Sequence, residues 1–238
     1  MATPQKIRCI VDSILDHGGH VYTVGLIPDQ PLPRFKAGQF LHLALDPYDP
    51  SEYWPESRVF SIASSPNERE KLLITYSVKG NYTSRMESEL SIGREVWIKL
   101  PYGEFIIDST LPVVLIAGGT GLTAFTAFLD NLTQEQTSPI TVFYGARHPK
   151  LWIFRTFLEE KQRSFSNLKV WYYAEELEHP AENERQGQLS VDTMLPLINE
   201  PQQADYYVSG PPLMLKNITL GLREFGVPIE NIHVDAWE

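Results

Sequence analysis

The chain has a single cysteine, Cys9, among 238 residues. One thiol forms neither an intrachain disulfide nor a four-cysteine iron–sulfur site. The six histidines show no metal-ligand spacing. His17 and His20 are close, but in a turn-like Asp-His-Gly-Gly-His, and no metal is expected. Basic residues are scarce beside acidic ones, 20 Lys and Arg against 30 Asp and Glu, for a net charge of −10. That balance argues against nucleic acid as a partner, since a phosphate backbone selects a basic face. No apolar run approaches the ~20 residues of a membrane helix, so no membrane span is expected. The first residues, Met-Ala-Thr-Pro-Gln-Lys, lack the apolar stretch of a signal peptide, and a cytoplasmic location is the expectation.

What is present is an apolar fraction of 42%, enough for one large domain or two small ones. The chain is organised around residues 111–125. Residues 113–117 are an apolar run of the length of a buried strand. Gly118, Gly119, Thr120 and Gly121 follow, and 122–132 carries apolar residues at helical spacing. Strand, glycine turn and helix together offer main-chain N–H groups and a positive helix end, to which phosphate is the natural guest. The same pattern also serves as a tight turn in any α/β domain.

The two halves read differently. Residues 6–15, 20–26, 39–45, 58–63, 71–77 and 95–100 are short runs rich in Val, Ile, Tyr and Phe, separated by turn residues. They predict a six-stranded antiparallel Greek-key β-barrel. Only 83–90 looks helical there, and 47–55 is a proline-rich loop. Beyond 108–110, strands at 113–117, 140–144, 168–173, 205–209 and 229–234 alternate with helices near 122–132, 151–163, 191–198 and 212–225. This predicts a five-stranded parallel, Rossmann-like α/β domain with ligands beyond the carboxyl ends of its strands. The expected fold is β + α/β, with domains at 1–108 and 109–238.

Three further stretches carry chemistry. In Arg58-Val59-Phe60-Ser61, alternation puts Arg58 and Phe60 on one face of a strand. An arginine there can clamp a phosphate while the ring covers a flat heterocycle, and Ser61 can donate to a ring nitrogen; a surface arginine beside a core phenylalanine is the plainer alternative. In the run from Tyr76, Ser77 and Val78 to Ser84, Gly80 precedes a helix that Thr83 or Ser84 would cap, a second helix N-terminus offered to phosphate. At Ser209-Gly210-Pro211, a strand ends, glycine allows close approach, and proline opens the next helix.

These stretches, in this order, resemble the ferredoxin–NADP reductase superfamily along essentially the whole chain. Arg-Val-Phe-Ser resembles its flavin motif, Gly-Asn-Tyr-Thr (Gly80 to Thr83) its pyrophosphate motif, and Pro-Tyr-Gly-Glu-Phe (Pro101 to Phe105) the loop ending its barrel. Ala-Gly-Gly-Thr-Gly-Leu-Thr resembles the nicotinamide-nucleotide loop, and Ser-Gly-Pro-Pro-Leu-Met a Cys-Gly-Pro-Pro-x-Met motif. The resemblance implies a barrel holding FAD and a parallel domain holding NAD(P)H. Arg58 would meet the pyrophosphate, Phe60 the isoalloxazine, and Ser61 the neighbourhood of flavin N5. Val59, Tyr76, Ser77, Val78, Gly80, Tyr82, Thr83 and Ser84 would complete the flavin site. Gly118, Gly119, Thr120, Gly121, Leu122 and Thr123, with Ser209, Gly210, Pro211 and Met214, would flank the nicotinamide nucleotide. Ser61, Ser209 and the near-terminal Trp237 would lie nearest the reacting atoms. Phe60 stands where the family has Tyr, and Ser209 where it commonly has Cys.

The cofactors do the hard step and the protein orients them. The implied activity is NAD(P)H oxidation by flavin, with electrons passed to a separate acceptor: an iron–sulfur protein or flavoprotein, an oxygenase component, or free flavin. The Asp-Ala-Trp tail resembles small NAD(P)H:flavin reductases, which use flavin as substrate. A non-catalytic subunit with a structural flavin is a third reading, against which the intact glycine loop argues. In this family the stretch after the third parallel strand meets the adenosine ribose. It reads Ala174-Glu175-Glu176, and carboxylates there favour NADH; Arg147, after the second strand, favours NADPH.

Overall fold

The computed structural model describes residues 3–108 and 110–235. The chain divides into two compact units, Met1–Ile106 with Thr123–Asn131, and Ile107–Leu122 with Leu132–Glu238.

The first unit is built on β1 (Gln5–Asp16), β2 (Val21–Pro28), β3 (Phe40–Ala44), β4 (Ser57–Ser61), β5 (Leu72–Ser77), α1 (Asn81–Glu89) and β6 (Glu95–Tyr102). The strands form one antiparallel sheet in the order β4-β3-β6-β1-β2-β5. Just past β4, Ala63 N–H donates to Leu73 O on the opposite edge at 2.9 Å, so the barrel is nearly closed. The period of two is plain in β1: Ile7, Cys9 and Val11 are fully buried, while Lys6, Arg8 and Ile10 face solvent. Burial pushes the Cys9 thiol up to about 12, which leaves it an inert core group. Met86 and Tyr82 anchor α1 to the barrel core.

The second unit contains β7 (Val113–Gly118), β8 (Ile140–Ala146), α3 (Arg155–Ser164), β9 (Leu168–Ala174), β10 (Glu184–Gln186), α4 (Val191–Met194), β11 (Asp205–Ser209), α5 (Pro212–Glu224) and β12 (Ile232–Val234). The sheet is parallel, in the order β10-β9-β8-β7-β11-β12. Every residue of β7 is buried, as for a central parallel strand covered on both faces. The sequence predicts five strands here and the structure has six. The extra strand, β10, is polar throughout, Glu-Arg-Gln, and gives no apolar signal. Its Glu184 carboxylate is nonetheless buried, taking Arg155 Nη1 at 2.7 Å and Ala181 N–H at 3.0 Å. The strand near 229–234 begins only at Ile232, because Ile229–Asn231 is a 3₁₀ turn.

The helix that follows β7 in sequence, α2 (Thr123–Asp130), makes its contacts in the barrel unit. Thr126 Oγ1 donates to Ala63 O at 2.9 Å, and the Phe125 ring lies 6.1 Å from that of Phe105. Among the described residues, no helix is long and apolar enough to cross a membrane.

Candidate functional site

In the barrel unit, β4 pairs with β3 so that Arg58 faces Leu43 and Phe60 faces Leu41. Both leucines are fully buried, so Arg58 and Phe60 share the face that turns toward the core. Arg58 sits over the Tyr82 ring, 4.9 Å from its centroid. It donates to Ser57 O at 2.9 Å and to Glu56 Oε1 at 3.1 Å. Its side chain remains 50% exposed, enough for a ligand to reach the guanidinium. Tyr82 itself is fixed: its hydroxyl donates to Leu43 O at 2.7 Å and accepts from Leu45 N–H at 3.2 Å. Burial pushes its phenol up to about 12, so it stays neutral.

Because Tyr82 lies in the first turn of α1, the structure brings Arg58 to the N-terminus of that helix. The residue before α1 is Gly80, which has no side chain to cap the first turn, and a β-carbon built on it would meet nothing within 4 Å. Thr83 Oγ1 turns back to accept from Lys79 N–H at 2.9 Å and Gly80 N–H at 3.1 Å, leaving the next N–H groups of the turn without a side-chain cap. A glycine with open space beside it, a helix start without a side-chain cap and an arginine beside it can together offer donors to a phosphate group.

The remaining barrel residues of the expected flavin site are placed as follows. Phe60 is partly buried and meets Tyr76 edge to face at 6.2 Å. Tyr76 is 3% exposed and tilts against Tyr22 at 5.5 Å, so its side chain belongs to the core. Val78 packs on the same core. Ser61 pairs with Phe40, Val59 with His42 and Ser77 with Val21. Ser84 N–H closes the turn onto Gly80 O at 2.9 Å.

In the second unit, β7 and β11 are neighbours, and the chain runs outward from them in opposite directions. Ligands bind at such a switch point, beyond the carboxyl ends. Here the ends are Gly118 and Ser209. A cavity of about 380 Å³ opens there, walled by Gly118, Gly119, Pro211 and Met214 among the expected residues. The glycines are required for different reasons. A β-carbon on Gly121 would lie 2.5 Å from Ser209 O, and one on Gly210 3.0 Å from Gly118 N; these two let the turns pack backbone to backbone. Gly119 has φ +56° and open space beside it, which suits close approach of a ligand. Thr120 and Leu122 complete the 3₁₀ turn Gly119–Leu122; Thr123 opens α2 and is buried.

Ser209 is 2% exposed, and its hydroxyl donates to Asp235 Oδ2 at 3.0 Å. This bond had no local sequence signal, since the residues are 26 apart. Trp237 lies outside the described residues. Arg147 and Glu175 both line the cavity. Sequence reasoning missed Gly187, Gln188 and Leu189, which follow β10, and Asn217 on α5. The first three were hidden with the polar strand that delivers them.

Residues 115–219 match the model of the oxidoreductase NAD-binding domain family. The chain is 30% identical over 218 residues to an NAD(P)H-flavin reductase of Vibrio harveyi, covering 86% of each chain. It is 28% identical over 222 residues to a flavohemoprotein of Rhizobium meliloti, covering 87% of this chain and 54% of the relative. The chain thus spans about half the length of such flavohemoproteins. Its fold matches the flavohem-like FAD/NAD-binding domain of nitric oxide dioxygenase from Vibrio cholerae with a TM-score of 0.83, covering 96% of this chain and 97% of that one, at 20% identity. Joined to a nearly closed barrel and a parallel sheet whose glycine turns meet at the switch point, these likenesses show that the chain belongs to the ferredoxin–NADP reductase superfamily of flavin-dependent NAD(P)H oxidoreductases.

Proposed function

We propose that the chain holds FAD on its barrel, takes hydride onto it from a nicotinamide nucleotide, NADH in preference, and passes the electrons to a separate acceptor. The acceptor class is an iron–sulfur protein or flavoprotein, an oxygenase component, or free flavin. The observation that carries a retained FAD is Arg58 seated over Tyr82 beside the uncapped start of α1. In this reading Arg58 and the Gly80 turn bind the pyrophosphate, and Phe60 orients the ring system. Gly119 admits the nicotinamide nucleotide, and Ser209, buried and bonded to Asp235, fixes the end of β11 behind it. Bound FAD supplies what no side chain can, acceptance of two electrons as hydride and their release singly or in pairs.

The preference for NADH rests on Glu175, which lines the cavity and pairs with no cation among the described residues. A carboxylate accepts hydrogen bonds from a ribose 2′-hydroxyl and repels a 2′-phosphate. A like-charge contact at about 4 Å costs roughly 1–4 kcal/mol, so NADH is favoured tenfold or more. One experiment tests the whole reading: a spectrum of the purified protein before and after NADH and NADPH, with the flavin released by acid and chromatographed. A yellow protein with FAD, bleached faster by NADH, is expected; colourless protein that reduces added flavin would overturn retention, and faster bleaching by NADPH the preference. Flavin used as a substrate is the second reading, favoured by the likeness to NAD(P)H-flavin reductase over most of both chains.

A further inference from the structure

The loops after β8 and β9 are locked to each other where they reach the cavity. Ala146 and Ala174 are the last register partners of the two strands. Beyond them the ladder continues, since Glu176 N–H donates to Arg147 O at 3.1 Å. The side chains of the same two residues then meet, with Arg147 Nε 3.3 Å from Glu176 Oε1. Arg147 lines the cavity as its only Lys or Arg among the described residues, and Glu176 does not line it. The two adjacent glutamates therefore differ in role: Glu175 faces the cavity, and Glu176 faces the arginine.

We propose that Glu176 is a specificity-determining residue that acts through Arg147. It holds the guanidinium toward itself, so the cation suited to a 2′-phosphate is partly engaged and NADPH gains less from it. The inference rests on the reading of this cavity as a nicotinamide-nucleotide site that prefers NADH. A guanidinium freed of its carboxylate presents its fork to phosphate. The two side chains are 78% and 59% exposed, so the hold is that of a surface pair and its removal is worth severalfold, not orders of magnitude.

The test is Glu176→Gln, which removes the charge and keeps the backbone bond and side-chain length. Binding of NADP⁺ and NAD⁺ is measured by calorimetry at low salt, with kcat/KM for NADPH and NADH alongside. The variant should bind NADP⁺ roughly fivefold more tightly relative to NAD⁺. Added salt should erase the gain. The double variant Glu176→Gln, Arg147→Gln should lose the gain entirely. A ratio unmoved by Glu176→Gln overturns the inference, as does a gain that survives in the double variant. Failure of the underlying reading looks different: native protein that prefers NADPH overturns that reading before any variant is made, whereas native preference for NADH with an unresponsive Glu176→Gln overturns only the arginine-holding role.

Discussion

Arg58 has a neutral ring beneath it, a carboxylate beside it and half its surface in water. None of these contacts holds the barrel together, because Tyr82 keeps its bonds to Leu43 and Leu45 without the guanidinium. Arg58→Ala should therefore cost flavin and not fold. A charge-assisted contact to phosphate is worth about 1.5–3 kcal/mol, which is a ten- to hundredfold loss of flavin affinity. Fluorescence titration of apoprotein, with a melting curve as control, reads both quantities; unchanged flavin affinity would remove Arg58 from the site. The residue scale is also where the sequence was most legible. Glycine and proline announce turns by their own geometry, so Gly118 to Gly121 and Gly210-Pro211 could be placed without knowing the fold. The inward turn of Thr83, the burial of Tyr76 against Tyr22 and Phe60, and the Arg147–Glu176 pair could not. Each depends on which strand or loop closes against which.

At the scale of the element, α1 is a polar helix clamped at several points. Met86 and Tyr82 enter the core, and Arg85 bonds to Glu89 and to Asp46 of the loop after β3. Near its end, Glu87 Oε1 takes both the Tyr22 hydroxyl and His20 Nδ1 at 2.8 Å. The bond to Glu87 raises the His20 pKa, and the bonds from His20 and Tyr22 lower that of Glu87. The signs define a window. A raised histidine contributes stability below its unfolded pKa and loses it as pH rises through the folded value; a lowered carboxylate contributes above its unfolded pKa and loses it as pH falls through the folded one. The pair is therefore complete between the usual glutamate and histidine values, about pH 5–6, and weakens on either side. His20 is largely in water, so the effect is small. Urea midpoints of native protein and His20→Gln should differ most in that window and converge as pH rises through the raised imidazole value; a constant difference across pH would mean that the imidazole acts through packing. Boundaries of elements were legible where apolar period and turn residues agreed, as in β1 and α5. They failed at β10, a polar edge strand held by the Arg155–Glu184 contact.

At the scale of the whole molecule, each turn proposed to meet phosphate falls within one unit: Gly80 and Arg58 in the barrel, Gly119 and Gly210 at the parallel sheet. Hydrogen exchange on the intact protein should report this division. FAD is expected to slow exchange at 58–61 and 80–84, and NAD⁺ at 118–121 and 209–214. Protection of both sets by either ligand alone would show one cooperative body in place of two binding units. Charge at this scale was legible only as an expectation: −10 argues against a nucleic-acid partner and does not name the acceptor.

Helix α2 comes after the first strand of the parallel sheet, yet its Thr126 hydroxyl is spent on Ala63 and its Phe125 rests near Phe105. The barrel thus borrows a piece of covalent chain from beyond its own last strand. A chimera spliced in the linker near 108–110 would carry away the native α2 and must receive from its new partner a helix that fits the Ala63 carbonyl and the Phe105 ring.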